Sequence, residues 1–131
     1  MPPINLLAVL VAAASCFLIG GLWYSPVLLG KAWLRESGDD RQPGQGHPAK
    51  VFGLSFVFAV LAAVVYAVLI PPPTSAGHAA LQGLAVGAGL VAASFGINYQ
   101  FANRSWKLLL IDGGYHTVQF TVYGIVIGLW R

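Results

Sequence analysis

Charge is what this sequence has least of. Seven Lys or Arg and four Asp or Glu carry all the formal side-chain charge in 131 residues, whereas about a quarter of a water-soluble domain is charged. The polar surface that would keep such a chain in water is missing, which excludes an ordinary soluble globule. Cysteine is nearly absent as well: Cys16 stands alone, so no disulfide can form within the chain and the redox compartment is unreadable. Histidine occurs at 47, 78 and 116, and the first two fall in loops expected on opposite sides. Neither can join His116 in a metal site within one subunit; one buried His does not make a zinc site, and a bis-His haem would need two subunits. No phosphate-cradling glycine loop, Ser/His/Asp set or cysteine pair is present. The basic residues form no stripe and accompany no nucleic-acid-binding motif. No cofactor, metal or nucleic acid is therefore expected, and only Asp112 and His116 could support catalysis, so the balance is against an enzyme.

What the chain does have is apolar residues, 57% of the total, gathered in long blocks. About 20 residues of helix at 1.5 Å rise cross a ~30 Å hydrocarbon core. Four blocks meet that length, over residues 4–24, 49–70, 78–101 and 106–130. The first is not read as a cleaved signal: Ala13-Ala14-Ser15-Cys16 only faintly resembles a lipoprotein site, and residues 2–15 carry none of the positive charge a signal needs. Pro71-Pro72-Pro73 ends the second block. The turn Ala102-Asn103-Arg104-Ser105 is short enough to make the last two helices antiparallel neighbours. The expectation is one all-α domain over residues 1–131, a polytopic four-helix membrane bundle.

The one sizeable polar segment is 25–48. Ser25-Pro26 has the chemistry of an N-cap followed by Pro at the first helical position. Val27, Leu28, Leu29, Trp33 and Leu34 then alternate with Lys31, Arg35 and Glu36, which predicts a short helix lying in the membrane interface. Ser37 to Pro48 has turn chemistry and reads as a loop. Lys31, Arg35, Arg41, Lys50, Arg104 and Lys107 fall on one side of the predicted bundle, and Arg131 alone on the other. By the positive-inside rule, loops 25–48 and 102–105 face the cytoplasm and both termini face outside. The expected home is a bacterial inner (plasma) membrane, with the lipid bilayer as the partner and a homo-oligomer left open by the thin core.

Three stretches carry a resemblance. They are Trp23-Tyr24-Ser25-Pro26 with Gly30-Lys31-Ala32-Trp33, then Asn98-Tyr99-Gln100-Phe101 with Arg104-Ser105, then Ile111-Asp112-Gly113-Gly114-Tyr115-His116. In this order, across matching hydrophobic blocks, they resemble the small membrane-protein family catalogued as domain of unknown function 1761. The resemblance implies a four-helix membrane domain and brings no activity with it.

Function must then be argued from the residues. Asp112, His116, Gln119 and Tyr123 follow the spacing i, i+4, i+7, i+11, a stripe ~60° wide on the last helix at about 100° per residue. Ionisable groups inside a span cost about 2.5–3.5 kcal/mol on insertion scales and usually face a bundle interior or a wet cavity. Asp112 and His116 are spaced to hydrogen-bond. Gly83, Gly87, Ser94 and Asn98 form a facing stripe on the third helix, with the glycines for close packing and Asn98 at the depth of Asp112. Gly124 and Gly128 point away from the polar stripe, toward a neighbouring helix or a partner subunit. Trp23 and Tyr24 end the first helix at the depth of Asp112 and can wall a pocket there, while the remaining tryptophans read as an aromatic belt. The expected site is a polar pocket or path of Asp112, His116, Asn98, Gln119, Tyr123, Trp23 and Tyr24 that binds or passes a proton, cation or small polar solute. Two alternatives stay open: a membrane accessory subunit whose polar stripe meets another protein's helix, and a membrane-embedded enzyme acting on a lipid or quinone.

Overall fold

The computed structural model describes residues 3–38 and 46–131, and these are helical without any strand. The helices are α1 (Leu6–Trp23), α2 (Gly30–Ser37), α3 (Pro48–Leu69), α4 (Ala76–Phe101) and α5 (Trp106–Leu129). Their ends follow local chemistry. Asn5, Ser75 and Ser105 cap α1, α4 and α5 by accepting from the backbone N–H three residues on. His47 caps α3, which has Pro48 in its first turn and stops before the triple proline.

The short helix starts later than Ser25-Pro26 predicts. Ser25 does not cap it; its hydroxyl turns back and donates to the Leu22 carbonyl at 2.7 Å. Residues 25–29 form a turn instead, with Leu28 N–H and Gly30 N–H both donating to the Ser25 carbonyl. The resulting α2 is held beneath the α4–α5 turn: Glu36 accepts from the Ser105 hydroxyl at 2.8 Å, and Arg104 donates to the Ser37 carbonyl at 2.7 Å. Most of the expected loop after it, residues 39–45, lies outside the described residues.

Three helices, α1, α3 and α4, are long and apolar enough to cross a membrane. The fourth long helix, α5, has 24 residues and so measures about 36 Å, but Asp112, His116 and Gln119 dilute its hydropathy. It is also the helix the others surround. α5 buries Leu108, Ile111, Gly113, Gln119, Phe120, Tyr123, Gly124 and Ile127, whereas α3 buries only Ala63, Tyr66 and Ala67. The long helix that is not among those three is thus the most enclosed, as expected where polar side chains need protein partners.

α4 packs antiparallel on α5 through small residues. A Cβ added at Gly83 would overlap the Phe120 carbonyl, and one at Gly87 would lie 2.8 Å from Thr117 Cα. Gly124 and Gly128 complete the seam from the other side, against Ala79 and Pro73 of the same chain. Contacts within the chain therefore account for both glycine pairs. α1 runs antiparallel to α5 on another face, from Asn5 Nδ2–H donating to the Trp130 carbonyl at one end to Tyr24 beside Asp112 at the other. Arg131 closes the former end by donating to the Ala67 and Ile70 carbonyls at the C-terminus of α3.

Candidate functional site

The polar residues of α5 divide into two groups. Asp112 belongs to the first. The hydroxyl of Tyr24, just past the end of α1, donates to its Oδ1 at 2.6 Å, and the hydroxyl of Tyr99 on α4 donates to its Oδ2. One carboxyl group thereby ties three helices together. Trp23 joins the same corner by donating its indole N–H to the Ile111 carbonyl at 2.9 Å. Gly114 leaves room for that ring, since a Cβ there would lie 3.1 Å from it.

His116 belongs to the second group. Its Nδ1 lies 2.6 Å from Gln119 Oε1. Gln119 Nε2 donates to the Tyr123 hydroxyl oxygen at 2.9 Å, and the Tyr123 hydroxyl donates to the Ala59 carbonyl on α3 at 2.8 Å. The imidazole is fixed sideways by a stacked Phe95 ring, 5.0 Å away at 16°, and by the edge of Tyr115. Asp112 and His116 make no hydrogen bond with each other. Asp112 instead bonds to Tyr24 and Tyr99 from two neighbouring helices, and His116 bonds to Gln119 on its own helix.

Asn98 joins neither group. It is exposed on the outer side of α4, where it lines a shallow groove of about 290 Å³ with Leu90, Ser94 and Phe95. The reason is a π-helical turn over Gly87–Ala92. Such a turn accommodates one residue more than an α-helical turn, so every later side chain shifts by one position around the helix. An unbroken α-helix would carry the Gly83–Gly87 stripe onward to Ser94 and Asn98. After the wide turn the same face presents Phe95 and Tyr99, which meet His116 and Asp112. Sequence reasoning missed both residues. The signal it had was Gly87-Ala88-Gly89, small residues that hold an α-helical register weakly.

A cavity of about 1030 Å³ opens between α1, α3 and α5. Phe17, Leu18, Val51, Phe52, Phe58 and Phe120 supply much of its wall, and His116 and Gln119 form a polar corner; Tyr24, Ser25, Ser55 and Tyr115 also line it. Asp112 and Tyr123 do not line it. Leu18, Phe52 and Phe58 are exposed, so the apolar wall is continuous with the outside of the bundle. The Tyr115 hydroxyl donates to the Cys16 carbonyl at 2.9 Å, and its ring rests on Gly20, where a Cβ would come within 3.1 Å. Among the described residues, no three His, Cys, Asp or Glu side chains gather in a way that could hold a metal ion.

No curated protein and no solved structure matches the chain. A family model does match, described as protein of unknown function (DUF1761), over residues 7–128. That span includes both polar groups, the cavity wall and all five helices apart from the first residue of α1 and the last of α5. The chain belongs to the DUF1761 family.

Proposed function

We propose that this is an integral membrane protein that crosses the bilayer with α1, α3, α4 and α5 and binds a small molecule in the cavity between α1, α3 and α5. The observation that carries the proposal is the cavity itself: about 1030 Å³, walled mainly by aromatic and aliphatic side chains, with a few polar groups that include His116 and Gln119. Small-molecule sites have this character, an apolar enclosure with a few placed polar groups. Binding fits better than conduction of a proton or cation. Asp112 is outside the cavity wall, and tyrosine hydroxyls engage both of its carboxylate oxygens, so the polar stripe is interrupted between Asp112 and His116.

The proposed orientation follows from charge. Lys31, Arg35, Arg104 and Lys107 gather around α2 and the α4–α5 turn, at the Asp112 end, while Arg131 stands at the other. The Asp112 end is cytoplasmic in this reading and the termini are outside, in a bacterial inner membrane. One observation favours an added role in assembly. Asn98 and Ser94 are exposed on α4, and polar side chains so placed on a spanning helix hydrogen-bond to partner helices. A second copy, or another membrane subunit, would cover them.

The test is to purify the protein from membranes and identify what co-purifies, comparing wild type with Gly21→Phe. Gly21 lines the cavity, and a Cβ there meets nothing within 4 Å, so the larger side chain has room to enter. A small molecule that is stoichiometric with wild type and lost from a folded Gly21→Phe protein is the expected result. Equal retention, or no bound molecule in either, would sink the proposal.

A further inference from the structure

The hydrogen-bond chain that ends at His116 has a direction, and its far end sets it. A backbone carbonyl only accepts, so Ala59 takes the Tyr123 hydroxyl proton across 2.8 Å. Tyrosine has one such proton. The Tyr123 oxygen can therefore meet Gln119 only as an acceptor, and the amide nitrogen must be the Gln119 atom 2.9 Å away. The amide oxygen then faces His116 Nδ1 at 2.6 Å. An amide oxygen has no proton to give, so Nδ1 carries one. The flipped amide would set oxygen against oxygen at the Tyr123 end, in a buried position where an unmade bond is costly.

Neutral His116 accordingly has an unprotonated Nε2 with a free lone pair. No protein group among the described residues engages it, and the cavity is the open space His116 lines. Three of the hydroxyls that line the cavity have also committed their protons to the protein. Tyr24 donates to Asp112, Tyr115 to the Cys16 carbonyl and Ser25 to the Leu22 carbonyl. What they turn toward the cavity is oxygen. Ser55, exposed on α3, is the hydroxyl left free to rotate.

Building on the binding reading above, we infer that the cavity selects an amphiphile whose head group donates a hydrogen bond. The fitting class is an alcohol or phenol on an apolar body, with its hydroxyl on His116 Nε2 and its body along Phe17, Phe52 and Phe58. A ketone or ether of the same shape would place acceptor against acceptor. Tyr123 is a positioning residue here, because it never lines the cavity and acts only by orienting Gln119 and hence the imidazole.

The experiment compares para-hexylphenol with its methyl ether, para-hexylanisole, binding to the full chain in phosphatidylcholine nanodiscs, with protein-free nanodiscs correcting for partition. The phenol is expected to bind about ten-fold more tightly, the worth of one good hydrogen bond. In Tyr123→Phe, where Gln119 is free to flip, the ratio falls toward one. A ¹⁵N spectrum of the wild type gives a readout independent of any variant's folding: His116 shows a protonated Nδ1 and an unprotonated Nε2. Equal binding of the two probes overturns the donor preference and leaves the cavity reading standing. Binding of neither overturns both. A protonated Nε2 with a bare Nδ1 overturns the inference whatever the affinities.

Discussion

The same three helices, α1, α3 and α5, meet twice along their length and with opposite results. Toward the chain termini they close on Val9, Ala12, Cys16, Ala63, Tyr66, Ala67, Phe120, Tyr123 and Ile127, a buried cluster. Toward the α2 end they part around the cavity. The difference is one of side-chain size. In the closed half α1 offers Ala8, Ala12 and Ala13 and α3 offers Ala63 and Ala67, all fully or almost fully buried. Alanines bring helix backbones together. In the open half the edges of Phe52 and Phe56 of α3 meet Phe17 of α1 at 5.8 and 5.9 Å between ring centroids. Aromatic rings hold the backbones apart where alanines draw them in. The packed half holds Tyr123, whose bond to the Ala59 carbonyl at the cavity wall aligns the His116 chain.

The largest loss is expected at the α4–α5 seam. Gly83→Val forces a side chain into the Phe120 and Thr121 backbone and should cost about 3 kcal/mol or more. Gly21→Ala, at the cavity where nothing lies within 4 Å, should leave stability unchanged or slightly raised, because Ala favours helix over Gly by about 1 kcal/mol. Thermal unfolding in detergent checks both, and equal losses would contradict a close-packed α4–α5 seam beside an open cavity.

A smaller effect is expected at the polar residues. Asp112→Ala strands the part-buried Tyr24 and Tyr99 hydroxyls and should cost about 2 kcal/mol, as for buried donors left without an acceptor. His116→Ala, beside open space, should cost about 1 kcal/mol and instead weaken binding. If the stability order were reversed, Asp112 would not be the clasp described above.

Phe17→Ala sharpens the role of the aromatic props. With the ring gone, α3 can settle toward α1, at a cost of about 1–2 kcal/mol for a half-buried aromatic. Spin labels at exposed Leu22 and Leu54 should report a shorter distance, and an unchanged one would mean the props are not what holds the cavity open. The smallest effect belongs to the closed half. The Tyr66 hydroxyl is buried without a partner, so Tyr66→Phe should be neutral or stabilising by up to about 1 kcal/mol. A clear loss of stability would show that the hydroxyl is engaged.

Much of this architecture is written in local chemistry. Proline at 71–73, the caps at Ser75 and Ser105, and the short turn at Asn103 delimit helices because their physics acts over a few residues. The polar stripe was visible in the same way, as periodicity along a single helix. Its partners were less so. Tyr24 sits at the depth expected for it, but Tyr99 displaces Asn98 because one extra residue in the Gly87–Ala92 turn rotates the rest of α4. A register shift of this kind costs too little locally to stand out from composition. The cavity was hidden for a different reason. It depends on where Phe17 of one helix meets Phe52 and Phe56 of another, a relation between helices that no single segment encodes.

If the open half is a ligand site, an experimental map of the wild-type protein in nanodiscs of its own membrane lipids will show the occupant in place. The expected map has α3 held off α1 by Phe17, with elongated density along Phe52 and Phe58 ending within hydrogen-bond reach of His116 Nε2. Density-free space, or α3 collapsed onto α1 with His116 sealed against it, would contradict it.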